Sequence, residues 1–250
     1  MSDSPLRILL ITGAYPPIRC GVGRYTTMLA SKLAEAGQTV GVMSCGPETS
    51  DERPAGIEFL SAPERYQRKP LDLIGKARAW QPDVIHVQHP TILPSMMWTL
   101  GWLALGLRRK RVAPCVVTLH EPVAAPVPSM FALLIGAKRF VIAKPHAIDR
   151  HPWWARKLIG RKPVDWVQNA SMLPHVALDD AQRQQIRQRY GVGARKMLVS
   201  LGFLTPANAT EWLVDIADPD QHHIVLAGQV PGGFVEHQRK IDNLFTGLIS

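Results

Sequence analysis

Short apolar runs alternate along this chain with segments of helical period, and that alternation restricts the fold more than any other feature. Leu6 to Thr12 is an apolar run bounded by Gly13, as expected of a strand buried on both faces. Tyr25 to Ala36 places Met28, Leu29, Leu33 and Ala36 at helical spacing, with Gly37 positioned to cap the helix. Thr39 to Ser44, Ile57 to Leu60, Val84 to Val87, Cys115 to Leu119 and Phe140 to Ala143 read as further strands. Pro70 to Trp80 reads as a helix, and an apolar segment over 92–107 separates two of the strands. Strands alternating with helices predict an α/β fold with a parallel sheet. Residues 1–175 therefore form a Rossmann-like first domain. Residues 176–194 hold a polar linker helix, Asp179 to Tyr190, ended by Gly191 and Gly193. The alternation restarts over 195–250 with strand Met197 to Leu201, helix Thr210 to Ile216, strand His222 to Leu226 and a tail helix over 235–248. Two clear strands bury little apolar surface and leave open edges, so this second unit reads as incomplete. It calls for packing on the first domain, a protein partner or a homo-oligomer.

Charge is distributed unevenly. Residues 1–175 carry 22 Lys and Arg against 12 Asp and Glu, whereas residues 176–250 carry 7 against 8. A basic first half attracts phosphates, anionic lipid or nucleic acid, and it also describes an ordinary solvated surface. No recognised RNA- or DNA-binding motif accompanies it, so no nucleic-acid partner is expected. Cys20, Cys45 and Cys115 are scattered and show no metal-ligand spacing, which fits a reducing cytoplasm and predicts no metal site. The polar start predicts no export signal, and no apolar stretch is long enough to span a bilayer. The segment 92–107 ends in Arg108-Arg109-Lys110-Arg111, and Trp153-Trp154-Ala155-Arg156-Lys157 combines aromatic and basic residues. Both are compatible with peripheral contact at the inner membrane face, and equally with a buried helix that has a cationic end.

The turn after the first strand runs from Gly13 through Pro16-Pro17 to Cys20-Gly21-Val22-Gly23-Arg24-Tyr25. Glycines there let a ligand approach the backbone, and the free N–H groups of a helix start favour an anion. A phosphate or a sugar hydroxyl suits such a loop; so does a purely structural tight turn into the helix. A dinucleotide fingerprint is excluded, because Thr26 stands where the third glycine belongs and no acidic residue follows Ser44-Cys45-Gly46. A P-loop is excluded because no Gly-Lys-Ser/Thr is present.

Tyr15-Pro16-Pro17, Cys20 to Thr26 and Leu29-Ala30 resemble the opening of the GT-B glycosyltransferases of the family 4 type. Gln81 to His89 resembles that family's fourth strand, and Val116 to Glu121 its following strand, which ends in a functional histidine. Val167-Gln168-Asn169 is similar to its asparagine segment at the domain junction. Leu198 to Leu204 and Ile224 to Gly228 are similar to the first strands of its donor-binding domain. The resemblance implies a retaining transferase that moves a sugar from a UDP- or GDP-linked donor to a glycan or lipid-linked acceptor. It implies no cofactor beyond that donor. His120 would contact the transferred sugar as the catalytic residue. Gly21, Val22, Gly23, Arg24 and Tyr25 would form the binding loop, and Gly202 and Gly228, at strand ends, would admit the nucleotide. His89 becomes an acceptor-side candidate. Glu121 and Lys144 stand at strand ends, where Lys144 is able to reach a phosphate and where either residue is also an ordinary surface group.

The sequence departs from the family at the donor side. Phe203 replaces an arginine, and Asn208-Ala209 replaces a lysine-glycine pair. The family's glutamate pair does not occur before Ser250. These departures predict weakened turnover, or a non-catalytic relative that serves as a binding or scaffold partner.

Overall fold

The computed structural model describes residues 4–18, 20–44, 54–62, 69–90, 94–121, 127–144, 148–170, 175–204, 210–230 and Arg239. The chain divides into two units, Met1–Pro174 and His175–Ser250. The first contains β1 (Arg7–Ile11), α1 (Gly21–Glu35), β2 (Thr39–Ser44), β3 (Glu58–Ser61), α2 (Pro70–Ala79) and β4 (Val84–His89). These are followed by α3 (Pro94–Arg109), β5 (Cys115–Leu119), α4 (Val127–Gly136), β6 (Arg139–Ile142), α5 (Trp153–Ile159) and β7 (Val164–Trp166). Its strands form one sheet in the order β3-β2-β1-β4-β5-β6-β7, and every pairing is parallel. The order reverses at β1, whose two neighbours are β2 and β4. Open α/β sheets bind ligands in the crevice outside the carboxyl ends of the strands at such a reversal.

Alternation along each strand assigns its two faces. Leu9, Ile85, Val87, Val117 and Leu119 pack with Leu73, Leu100, Leu103 and Leu133 of α2, α3 and α4. Leu10, Val40 and Val42 pack with Ala30 of α1 and with Tyr15. Each fully buried large aliphatic side chain stabilises the fold by about 1.5–3 kcal/mol. Helices α3 and α4 approach almost backbone to backbone. A Cβ at Gly101 would stand 2.0 Å from the Ser129 carbonyl oxygen, and one at Gly136 would stand 2.4 Å from the Ala104 carbonyl carbon.

Several boundaries differ from the sequence expectations. Helix α1 begins at Gly21 rather than Tyr25, because Cys20 is extended and its carbonyl already accepts from the Arg24 amide at 2.9 Å. Strand β4 continues through Gln88 and His89, two polar residues held in register against Thr118 and Leu119. The sequence pattern gave no sign of α4, which is apolar all round with six of its residues buried and so has no amphipathic stripe. Nor did it show β7, whose three residues are all exposed.

The second unit contains α6 (Asp180–Arg189), β8 (Lys196–Phe203), α7 (Thr210–Ile216) and β9 (His222–Gln229). A capping box starts α6: Asp179 Oδ1 accepts from the Gln182 amide at 2.7 Å, and Gln182 Oε1 accepts from the Asp179 amide at 3.1 Å. Strands β8 and β9 pair in parallel from Lys196 opposite His222 to Phe203 opposite Gln229. Both strands are longer than expected, so Gly202 and Gly228 lie opposite one another inside the ladder rather than beyond its end. Gly202 has φ +122, and a Cβ at Gly228 would stand 1.8 Å from its carbonyl oxygen. Gly202 thus has a backbone conformation that side chains rarely adopt, and Gly228 has no room for one against the paired strand. Cys45, the stretch 205–209 and the expected tail helix, Arg239 apart, lie outside the described residues.

Candidate active site

The reversal point of the sheet carries a polar column. Side chains alternate, so His86, Gln88, Thr118 and His120 share the α1 side of β4 and β5. His86 Nε2 pairs with Thr118 Oγ1 at 2.7 Å. His120 Nε2 donates to Gln88 Oε1 at 2.9 Å, which leaves Nδ1 as the acceptor of a neutral ring. Burial is the main reason that both histidines titrate low, at about 4. For His120 the Glu121 carboxylate opposes the shift and Lys144 reinforces it. Both rings are therefore neutral near pH 7, and each presents one donor and one acceptor rather than a charge.

Helix α1 brings the second wall. Tyr25 sets its ring edge-on to His120, with centroids 4.7 Å apart, and burial raises its hydroxyl pKa. The start of α1 has no side-chain cap and no acidic residue in its first turn. Its first amides therefore project positive dipole that no capping side chain or first-turn carboxylate offsets. The two loop glycines play different parts. Added carbon at Gly21 meets nothing within 4 Å, so that position opens onto free space. Added carbon at Gly23 would lie 2.6 Å from the Ala14 carbonyl oxygen, so Gly23 is required for α1 to sit on the β1 loop. Gly21, Val22, Tyr25, His120, Glu121, Lys144, Asn169 and Ala170 enclose a cavity of about 210 Å³. That is below the roughly 300–1,000 Å³ typical of drug-sized ligands, and it suits one sugar ring or a phosphate. Lys144 Nζ pairs with Glu121 Oε1 at its mouth, with both side chains about half exposed.

Six residues singled out in the sequence thus converge on this cavity. Arg24 is exposed and Gly23 is buried, and neither lines it. His89 does not line it either. The longer β4 draws His89 into the sheet opposite Leu119, where it is 1% exposed and burial holds its pKa down at about 3. Gly202 and Gly228 belong to the other unit. Sequence reasoning missed Gln88, the positioning partner of His120, whose signal was an amide at the polar end of an otherwise apolar strand. It also missed Asn169 and Ala170 as lining residues. Among the described residues no cluster of His, Cys, Asp or Glu is arranged to hold a metal ion, and no helix is long and apolar enough to cross a membrane.

A parallel sheet with a receptive helix start at its reversal point, followed by a second α/β unit, is the layout of the GT-B glycosyltransferases. The sequence matches Glycosyltransferase Family 4 over residues 20–200, and the chain belongs to that family. Glycogen synthase of Mycobacterium tuberculosis is 28% identical over a match spanning 46% of this chain and 33% of that enzyme. HepE of Anabaena, solved in complex with UDP, superposes with a TM-score of 0.66 at 14% identity, covering 97% of this chain and 66% of its own. A glycosyltransferase of Rickettsia africae superposes with a TM-score of 0.68 at 15% identity, covering 98% and 65%. The chain thus spans a third of the glycogen synthase and about two thirds of these solved structures.

Proposed function

We propose that this chain takes part in transfer of a sugar, with retention of configuration, from a UDP- or GDP-linked donor to a glycan or lipid-linked acceptor. The observation that carries this reading is the convergence of an uncapped helix start, a neutral His120 and the Lys144–Glu121 pair on one sugar-sized cavity. Departure of a nucleoside diphosphate builds negative charge on phosphate and positive character on the sugar. The α1 amides and Lys144 stabilise the former. His120, turned by Gln88, offers hydrogen bonds to the sugar hydroxyls, and Asn169 adds an amide at the wall. Membership of the family and a neighbour solved with UDP and glucose support the donor class.

Calorimetric titration of the purified chain with UDP-glucose and GDP-mannose tests this. Saturable binding that is lost in Gly21→Val and His120→Ala supports the reading. No binding by a chain shown folded by circular dichroism overturns it, and favours instead a non-catalytic relative that works through a protein partner. Phe203 in place of the family's arginine is the residue that would then explain the loss.

A further inference from the structure

The positive charge of the first unit is concentrated in one stretch. Residues 94–163 contain 12 Lys and Arg but only two carboxylates, Glu121 and Asp149. Glu121 is already paired with Lys144. The rest of the unit carries ten of each sign. With the Lys144–Glu121 pair of the crevice and the Arg139–Asp165 pair set aside, the remaining surplus belongs to the region of α3, α4 and α5.

On that region α4 and α5 form an apolar groove of about 570 Å³, lined by Val127, Phe131, Trp153, Trp154 and Leu158 and edged by Lys157 and Arg161. Helix α5 turns Ala155 and Ile159 inwards. It leaves Trp153 70% exposed, beside Phe131 at 48% and Val127 at 63%. Large aromatic side chains grouped in the open mark a contact surface. Arg161 also belongs to a second cavity of about 700 Å³, together with Arg108, Arg111, Lys138 and Lys162. No Asp or Glu lines either cavity. Lys162 Nζ is spent on the carbonyls of Leu134, Ile135 and Ala137 at the end of α4. Burial, then the Arg108 guanidinium, lowers its pKa to about 8, a sign of how crowded the positive charge is here.

We propose that this face docks on an anionic lipid bilayer, with Trp153 and Phe131 entering the acyl boundary and the cations around Arg161 receiving lipid phosphates. An apolar aromatic strip flanked by cations without counter-charge is the chemistry that such an interface selects. Lys and Arg stems lie along apolar surface while their heads reach outward, so the groove and its charged edge engage together. Docking here is separate from sugar binding in the crevice, and its success or failure leaves that reading untouched.

The test is vesicle flotation of the full chain. One arm uses phosphatidylcholine alone, and the other phosphatidylcholine mixed with phosphatidylglycerol. The chain should float with the anionic vesicles only and be released as salt rises. Lys157→Ala with Arg161→Ala should lower the partition coefficient about 30-fold, and Trp153→Ala about tenfold or more. These side chains are exposed or lie on the rim, so circular dichroism should show an unchanged fold. A chain that stays soluble with anionic vesicles at low salt overturns the proposal. So does equal binding to neutral vesicles, or variants that float like the parent. A dimer in light scattering that Trp153→Ala dissolves would assign the groove to a second copy and also overturn it.

Discussion

Gly21 and Gly23 are two residues apart in the same helical turn, yet substitution should affect them in opposite ways. In Gly23→Ala the new Cβ would stand 2.6 Å from the Ala14 oxygen, 3.1 Å from its carbonyl carbon and 3.3 Å from the Tyr15 Cα. All three are backbone atoms of the β1 loop, so no flexible side chain can give way. Overpacking of this kind costs about 1–3 kcal/mol. The gain in helix propensity from glycine to alanine offsets at most about 1 kcal/mol. The net loss should be about 1–2 kcal/mol, a fall in melting temperature of roughly 2–8 °C for a unit of this size. In Gly21→Ala nothing stands within 4 Å, so stability should hold or rise slightly. The methyl group occupies the cavity instead, and nucleotide-sugar affinity should drop. Thermal denaturation of both variants, with calorimetric titration of Gly21→Ala, checks the pair. A Gly23→Ala chain as stable as the parent, or a Gly21→Ala chain clearly weaker, would refute the division of labour between the two glycines.

Three further outcomes follow from the buried groups. His86, His89 and His120 titrate at about 4, 3 and 4 in the folded chain, against about 6.5 when unfolded. The unfolded chain therefore binds more protons below pH 6.5, and stability should fall as pH drops from there towards about 3, by up to about 1.4 kcal/mol per pH unit for each histidine. Urea unfolding across that range checks it, and a flat midpoint would sink the argument. Gln88→Met should cost about 1–3 kcal/mol, because it leaves the buried His120 Nε2–H without its acceptor; an unchanged melting temperature would show that Gln88 does not hold the ring. Burial pushes the Cys115 thiol up to about 12, so it should resist alkylation until the chain unfolds; labelling of the native protein at Cys115, read by mass spectrometry, would contradict that.

Much of this protein was determined by sequence alone. The apolar runs of β1, β2 and β5 and the stripe of α1 were legible because burial on both faces, or on one stripe, writes a local period. The ordered motifs from Tyr15 to Glu121 carried the resemblance that family membership then established. Tertiary structure decided the rest. Helix α4 shows no amphipathic period because exposed Val127 and Phe131 are as apolar as its buried residues, and β7 has no apolar run because it lies at the sheet edge. His89 stands at the end of β4, and only the tertiary structure shows that it is buried there opposite Leu119. Gly21 and Gly23 are indistinguishable as letters. What separates them is the Ala14 carbonyl, which the fold places against one glycine and not the other. The partners of His120, namely Gln88, Tyr25 and the Lys144–Glu121 pair, come from four separate elements or loops. A site made at the reversal of a sheet is assembled from residues distant in the chain, and no local pattern records that meeting.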